Sequence, residues 1–238
     1  MPALAQSLIT LGRSLTGTLD SFMPGMRELD ASGGEDWSPD DLDAYCPRCG
    51  ASAATGDVTP AGCAECRNHR LPWERVIRLG PYQPPLADWL RAFKFHQHWA
   101  WGPWLGGQLA SVMEQPLDAA RIAVCPVPMH WLRRCQRGYN QAHLIGRQLA
   151  RATGWPEAPV LKRIRHTLPQ TAVSPGRRAA NVRDTFACDR VDLTGWQIVL
   201  IDDIKTTGAT LGTCARLLRQ QGARCVDVAV AAVADPKG

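Results

Sequence analysis

Apolar residues recur along this chain at spacings that change with position. Between residues 3 and 22, Leu4, Leu8, Leu11, Leu15, Leu19 and Phe22 return every three or four residues. That spacing predicts an amphipathic helix that packs on the protein. Its polar face carries one basic residue, Arg13, which weighs against a membrane-surface role. Residues 30–44 are rich in Gly, Ser and Asp and read as a linker. Residues 74–83 read as a short strand. Pro84 and Pro85 then open a helical pattern through Leu86, Leu90 and Phe93, and a second helix runs from about Pro103 to Met113. From Arg121 onward, apolar runs alternate with helical stretches: strand Ile122–Val127, helix Gly138–Thr153, strand Trp196–Ile204, helix Gly208–Gln221 and strand Cys225–Ala234. Gly154 and Gly222 close the two helices. The alternation predicts an α/β domain, a mostly parallel sheet with helices on both faces. Residues 165–184 are too long for an ordinary connection and are a candidate functional loop.

The 238 residues suffice for one α/β core and a small appendage. No run of eighteen apolar residues suggests a transmembrane helix, and no signal peptide is read at the N-terminus, so a cytoplasmic protein is expected. The net charge is +5 and unevenly spread. Acidic residues gather before residue 45, and basic ones cluster at Arg133–Arg137, Lys162–Arg165 and Arg177–Arg183. Such clusters either meet phosphate or form solvated helix faces. An odd count of nine cysteines argues against a disulfide framework. Cys125, Cys214 and Cys225 lie in apolar stretches and read as core residues.

Four cysteines have metal-ligand spacing: Cys46-Pro-Arg-Cys49, thirteen residues, then Cys63-Ala-Glu-Cys66. Two C-x-x-C turns each supply two corners of a tetrahedron, which predicts a structural Zn2+ site with no open position for water. The alternative is four free or redox-active thiols. His69 is a bystander on this reading.

The stretch Ile198-Val-Leu-Ile-Asp202-Asp203-Ile-Lys205-Thr206-Thr207-Gly208-Ala209-Thr210 places two carboxylates at the end of a buried strand, then a small hydroxylated loop entering a helix. Ligands of open α/β sheets bind beyond the carboxyl ends of strands, and loop N–H groups with a helix N-terminus attract anions. Adjacent carboxylates beside an anion site suit the hydroxyls of a diol, so a ribose 5-phosphate fits. No P-loop motif or GxGxxG fingerprint is present. Upstream, Val127-Pro128 ends a strand, a basic loop follows (Arg133, Arg134, Arg137), and Gly138-Tyr-Asn-Gln141 opens a helix, a second anion site by the same logic.

The 198–210 stretch resembles the signature of type I phosphoribosyltransferases. The upstream Arg-Gly-Tyr-Asn-Gln segment is similar to the ComF family, as are Arg91–Phe95 and the stretch from Arg165 through Gln170 and Thr171 to Arg178 and Asn181. The likeness covers about residues 45 to 235 and implies that phosphoribosyltransferase fold, with an N-terminal four-cysteine zinc knuckle. The chain is read as a helix and linker (1–45), which fall outside the likeness, the knuckle (46–70) and a phosphoribosyltransferase-like domain (71–238) with a candidate hood at 71–113. The likeness implies phosphoribosyl pyrophosphate as ligand, brought with Mg2+. Asp202 and Asp203 would hold the ribose hydroxyls, and Lys205 to Thr210 the 5-phosphate. Arg137 would stabilise the departing pyrophosphate beside Arg133, Arg134, Gly138 and Lys94, the last of which reads equally as a surface lysine. The loop bearing Arg165, Gln170, Arg178 and Asn181 would close over the site. The hood tryptophans Trp73, Trp89, Trp99, Trp101 and Trp104 would stack a base or pack the core. Two functions remain: phosphoribosyl transfer to a nitrogen acceptor connected with DNA uptake in competence, or a non-catalytic module binding phosphoribosyl pyrophosphate, single-stranded DNA and competence proteins. The sequence offers no evident general base.

Overall fold

The computed structural model describes residues 37–54, 56–59, 61–64, 66–95, 98–113, 121–164 and 185–235. The expected N-terminal helix at 3–22, and Arg165, Gln170, Arg178 and Asn181, lie outside the described residues. Four strands form one parallel sheet in the order β1 (Val76–Pro81), β6 (Cys225–Val233), β5 (Gln197–Lys205), β2 (Ile122–Pro126). In the central strands both faces are covered, so the apolar runs are continuous. Ile198, Leu200, Val226, Val228 and Val230 pack on one face against Leu211, Cys214, Ala215 and Leu218 of α5 (Ala209–Gln220). Val199, Ile201, Ala229 and Ala231 line the other face. That face is covered by α1 (Leu86–Phe95), α2 (Trp101–Val112) and α4 (Gln141–Thr153). The approach of α2 to α4 is close enough that a Cβ at Gly106 would lie 2.4 Å from the Ile145 carbonyl oxygen.

The register positions the acid pair. The last β2–β5 pair is Pro126 with Ile201, and the Val127 N–H donates to the Ile201 carbonyl at 2.8 Å. β5 therefore runs on through Asp202 and Asp203 without a β2 neighbour, while β6 stays paired with it as far as Lys205 and Val233. Pro126 and Pro128 have no N–H with which to extend that edge.

Several local expectations are corrected. The basic stretch after β2 is not a loop. It forms a short helix, α3 (Trp131–Arg137), none of whose residues is buried. The His130 side chain caps it, Nδ1 accepting from the Leu132 N–H at 3.2 Å, and Gly138 ends it in the left-handed region at φ 80°. The next helix thus starts at Gln141, not Gly138. Two strands were not foreseen: β3 (Leu161–Arg163) and β4 (Phe186–Cys188) pair antiparallel. Cys125 and Cys214 are buried as expected, but Cys225 is only half-buried at the start of β6.

Residues 37–44, expected as linker, are anchored to the sheet edge at Asp40, while residues 41–44 stay exposed. The Asp40 N–H donates to the Leu79 carbonyl at 2.7 Å. The Asp40 carboxylate receives two hydrogen bonds from Arg78, whose side chain is 1% exposed. Arg78 also donates to the Gly50 carbonyl at 2.7 Å and to Ser52 Oγ at 2.9 Å, with its guanidinium 4.9 Å from the Tyr45 ring centre. One buried cation thus ties the first described segment, the cysteine knuckle and β1 together. Among the described residues no helix is long and apolar enough to cross a membrane.

Candidate functional site

Asp202 and Asp203 occupy the carboxyl end of β5, where successive side chains leave opposite faces of a strand. Asp203 is 8% exposed, and Lys94 from the last turn of α1 reaches its carboxylate at 3.1 Å. Asp202 is half-buried and accepts from the Asp203 backbone N–H at 2.9 Å. Burial, reinforced by the neighbouring Asp203 charge, pushes its pKa up to about 7, while Lys94 and Arg163 oppose the shift.

The Gly-Tyr-Asn-Gln turn has a visible purpose. The Tyr139 hydroxyl donates to the Phe93 carbonyl at 2.5 Å, and Gln141 Nε2 donates to the same oxygen at 3.4 Å. Both fix the residue preceding Lys94, which holds the ammonium over Asp203. Asn140 Nδ2 donates to the Val127 carbonyl at 3.0 Å and so pins the end of β2.

Two arginines share the field of the acids. Arg137 is half-buried: burial lowers its pKa, and the Asp203 charge opposes this. Its guanidinium lies 5.3 Å from the centre of the exposed Phe95 ring. Arg163, at the end of β3, feels Arg133 and Asp202 and lies 5.4 Å from the Phe186 ring centre. Arg133 and Arg137, one turn apart on α3, are half-buried, whereas Arg134 is exposed and acts on His143. The structure therefore brings Lys94, Arg137 and Arg163 to the acid pair, sets Arg133 beside those two arginines and leaves Arg134 aside. Arg163 was not singled out from the sequence, although it lies in the Lys162–Arg165 cluster. Its strand was the missing signal.

The loop after β5 turns into α5 through Gly208, which is buried in the left-handed region at φ 76°. Few other residues take this conformation without strain. Thr206 and Thr207 are exposed, and Ala209 and Thr210 start the helix. Lys205 is half-buried, and burial lowers its pKa against the opposing pull of Cys49 and Asp235. The loop forms one wall of a cavity of about 590 Å3, whose other residues include Cys49, Cys66, Arg70, Trp73 and Arg216.

The second wall is the knuckle. The four sulfurs of Cys46, Cys49, Cys63 and Cys66 are buried and lie within 4.8 Å of one another. Sγ separations are 3.5 Å for Cys49–Cys63, 3.7 Å for Cys46–Cys66 and 3.9 Å for Cys63–Cys66. A tetrahedral ion with metal–sulfur bonds of about 2.3 Å needs edges of about 3.8 Å, so the thiols fit a metal ion. Among the described residues no other cluster of His, Cys, Asp and Glu has this character.

The hood tryptophans mostly pack on one another. Trp89 stacks on Trp101 at 5.1 Å, and Trp104 meets both rings edge-on at 5.3 Å. Trp37 joins them at 5.3 Å from Trp89. The large exposed rings among the described residues are Phe95, beside Arg137, and Trp131, at the start of α3.

No family model matches the chain. Competence protein F of Haemophilus influenzae is 30% identical over 198 residues, which span 77% of this chain and 82% of that protein. The DNA utilization protein YhgH of Salmonella typhimurium is 30% identical over 195 residues, or 78% of this chain and 82% of its own length. A solved structure described as the allosteric regulatory enzyme of purine biosynthesis has a TM-score of 0.36 and 23% identity, covering 54% of this chain and 24% of that one.

Proposed function

Because the chain belongs to the ComF family of competence proteins, we propose that it is a phosphoribosyltransferase that binds phosphoribosyl pyrophosphate and transfers phosphoribose to a nitrogen acceptor in the handling of DNA. The observation that carries this reading is the acid pair at the tip of β5, one loop away from the N-terminus of α5 and faced by Lys94, Arg137 and Arg163. The 5-phosphate would accept hydrogen bonds from the N–H groups of Thr206 to Thr210. Asp202 and Asp203 would accept from the ribose hydroxyls. The pyrophosphate would lie towards Arg133, Arg137 and Arg163, with Lys94 exchanging its bond to Asp203 for the leaving group. As the anomeric C–O bond would break, its electron pair would go to pyrophosphate, the acceptor nitrogen would close on C1, and the proton that nitrogen sheds would pass to the departing pyrophosphate or to water. Arginines held beside the acids before the donor arrives would need little reorganisation to meet that charge. Two adjacent carboxylates engaged by ribose hydroxyls would not by themselves make an all-protein Mg2+ cage. Mg2+ would enter on the phosphates of the donor and supply charge neutralisation there. Zinc suits the four thiolates and would be structural, residues 71–113 would form the acceptor hood, and the reducing cytoplasm is the expected compartment.

Calorimetric titration of zinc-loaded protein with phosphoribosyl pyrophosphate and Mg2+ tests the donor site. Micromolar affinity is expected, weakened at least about tenfold in Asp203→Ala, equivalent to about 1.4 kcal/mol. No binding to folded wild-type protein overturns the donor assignment.

A second reading is favoured by the exposure of Phe95 (67%) and Trp131 (64%) beside the α3 arginines. Rings and cations together suit single-stranded nucleic acid. A non-catalytic binding module predicts oligonucleotide affinity that falls steeply with salt and no pyrophosphate release with any nitrogen base.

A further inference from the structure

Trp73 stands between the cysteine knuckle and the first turn of α5, 6% exposed. Its indole N–H donates to the Arg48 carbonyl at 2.9 Å. Arg48 lies inside the first Cys-x-x-Cys turn, between Cys46 and Cys49. The opposite edge of the ring closes on the loop after β5. A Cβ at Gly208 would stand 3.0 Å from the indole Cη2, and one at Gly212, a turn further along α5, 3.7 Å from Cζ3. The ring has little room to withdraw, because the Glu74 N–H donates to the Val226 carbonyl at 2.9 Å and anchors the neighbouring backbone to β6. The knuckle's own core consists of Cys46, Cys49, Ala51, Cys63 and Cys66. Four of those five residues are the metal-ligand thiols, so the ion adds to the order of the Arg48 turn, whose neighbouring Pro47 carbonyl already accepts from the Val76 N–H at 2.7 Å.

We infer that Trp73 is a positioning residue for the phosphate loop, and that through it metal in the knuckle and ribose 5-phosphate in the loop favour each other's binding. The inference rests on the ribose-phosphate reading of that loop. With the ion bound, the Arg48 carbonyl is fixed, the indole is held by its N–H, and the ring edge keeps Gly208 in the left-handed turn that aims the loop's N–H groups. When the ion is lost, the carbonyl is held only by the neighbouring backbone bonds and the ring's polar anchor loosens. An electrostatic term runs the other way, since four thiolates around a divalent cation carry two net negative charges that repel a phosphate. Lys205, Arg70 and Arg216 line the same cavity and offset it, so the ordering effect sets the sign.

Linkage makes the coupling reciprocal, which gives two readouts. The rate at which a chromogenic chelator strips zinc from the zinc-loaded full chain is measured with and without saturating ribose 5-phosphate. Ribose 5-phosphate is also titrated calorimetrically into zinc-loaded and zinc-stripped protein. Zinc release is expected to slow at least about fivefold, with a comparable gain in ribose 5-phosphate affinity on zinc loading. Trp73→Phe keeps a ring but removes the N–H, and should bring the coupling factor towards one while both ligands still bind. Unchanged zinc release in wild-type protein that binds ribose 5-phosphate overturns the coupling and leaves the functional reading standing. Full coupling retained in Trp73→Phe overturns the indole's part. Absence of ribose 5-phosphate binding to the zinc-loaded protein overturns the loop reading and this inference with it. Should Trp73→Phe fail to fold, the wild-type release rates decide alone.

Discussion

At Asp202 a carboxyl group must ionise beside another carboxylate while half withdrawn from water. Its pKa of about 7 means that the folded protein holds a proton there that the unfolded chain releases near pH 4. The contribution of this group to stability is therefore greatest below pH 4, declines as pH rises from about 4 to 7, and is constant above. Asp202→Asn should gain more in urea midpoint over wild type at pH 8 than at pH 5. Donor binding that uses the ionised carboxylate should tighten from pH 6 to pH 8 in wild type, and that step should vanish in the Asn variant. Calorimetry at three pH values checks both signs. At this scale the sequence was informative where chemistry is local. The acid pair, the small loop and the cysteine spacings are written in consecutive residues. What Lys94, Arg163 and Trp73 touch depends on elements far apart in the chain, and no spacing encodes it.

Among the elements, α2 and α4 show how small residues set an approach distance. Gly106 faces the Ile145 carbonyl, whereas a Cβ at the adjacent Gly107 would meet nothing within 4 Å. Gly106→Ala should destabilise by roughly 1–3 kcal/mol through overpacking. Gly107→Ala should stabilise by up to about 1 kcal/mol, because only helix propensity changes. Denaturant midpoints of the pair separate packing from propensity. The apolar periodicity marked the helices of the core and the strands of the sheet to within a few residues, because those elements bury one face or both. It missed α3, which buries nothing, and β3 and β4, which are three residues each. Elements held by caps and single pairings leave no periodic trace.

Across the whole molecule, the knuckle is built into the sheet edge. The Val76 N–H donates to the Pro47 carbonyl at 2.7 Å, and both Ser52 donors reach Asp235. Arg78 adds a buried charge that relies on the knuckle carbonyl of Gly50. Removing the metal should thus lower the melting temperature of the full chain, not only that of a 25-residue appendage. Calorimetry should show a single transition moving down on chelation, where a separate low-temperature transition would mean that the knuckle melts alone. Composition is a weak guide to packing: Gly, Ser and Asp describe the solubility of a segment, and the Asp40–Arg78 pair ties Asp40 to β1 all the same. The same burial sorts the thiols. Four sit in the knuckle and Cys125 and Cys214 in the core; Cys188 and Cys225 are half-buried with pKa values pushed to about 11, and Cys135 stands open on α3. The protein thereby offers a chemist a single natural handle: a dye coupled to Cys135 would sit two residues from Arg137 and report a ligand's arrival by its colour, with no engineered cysteine required.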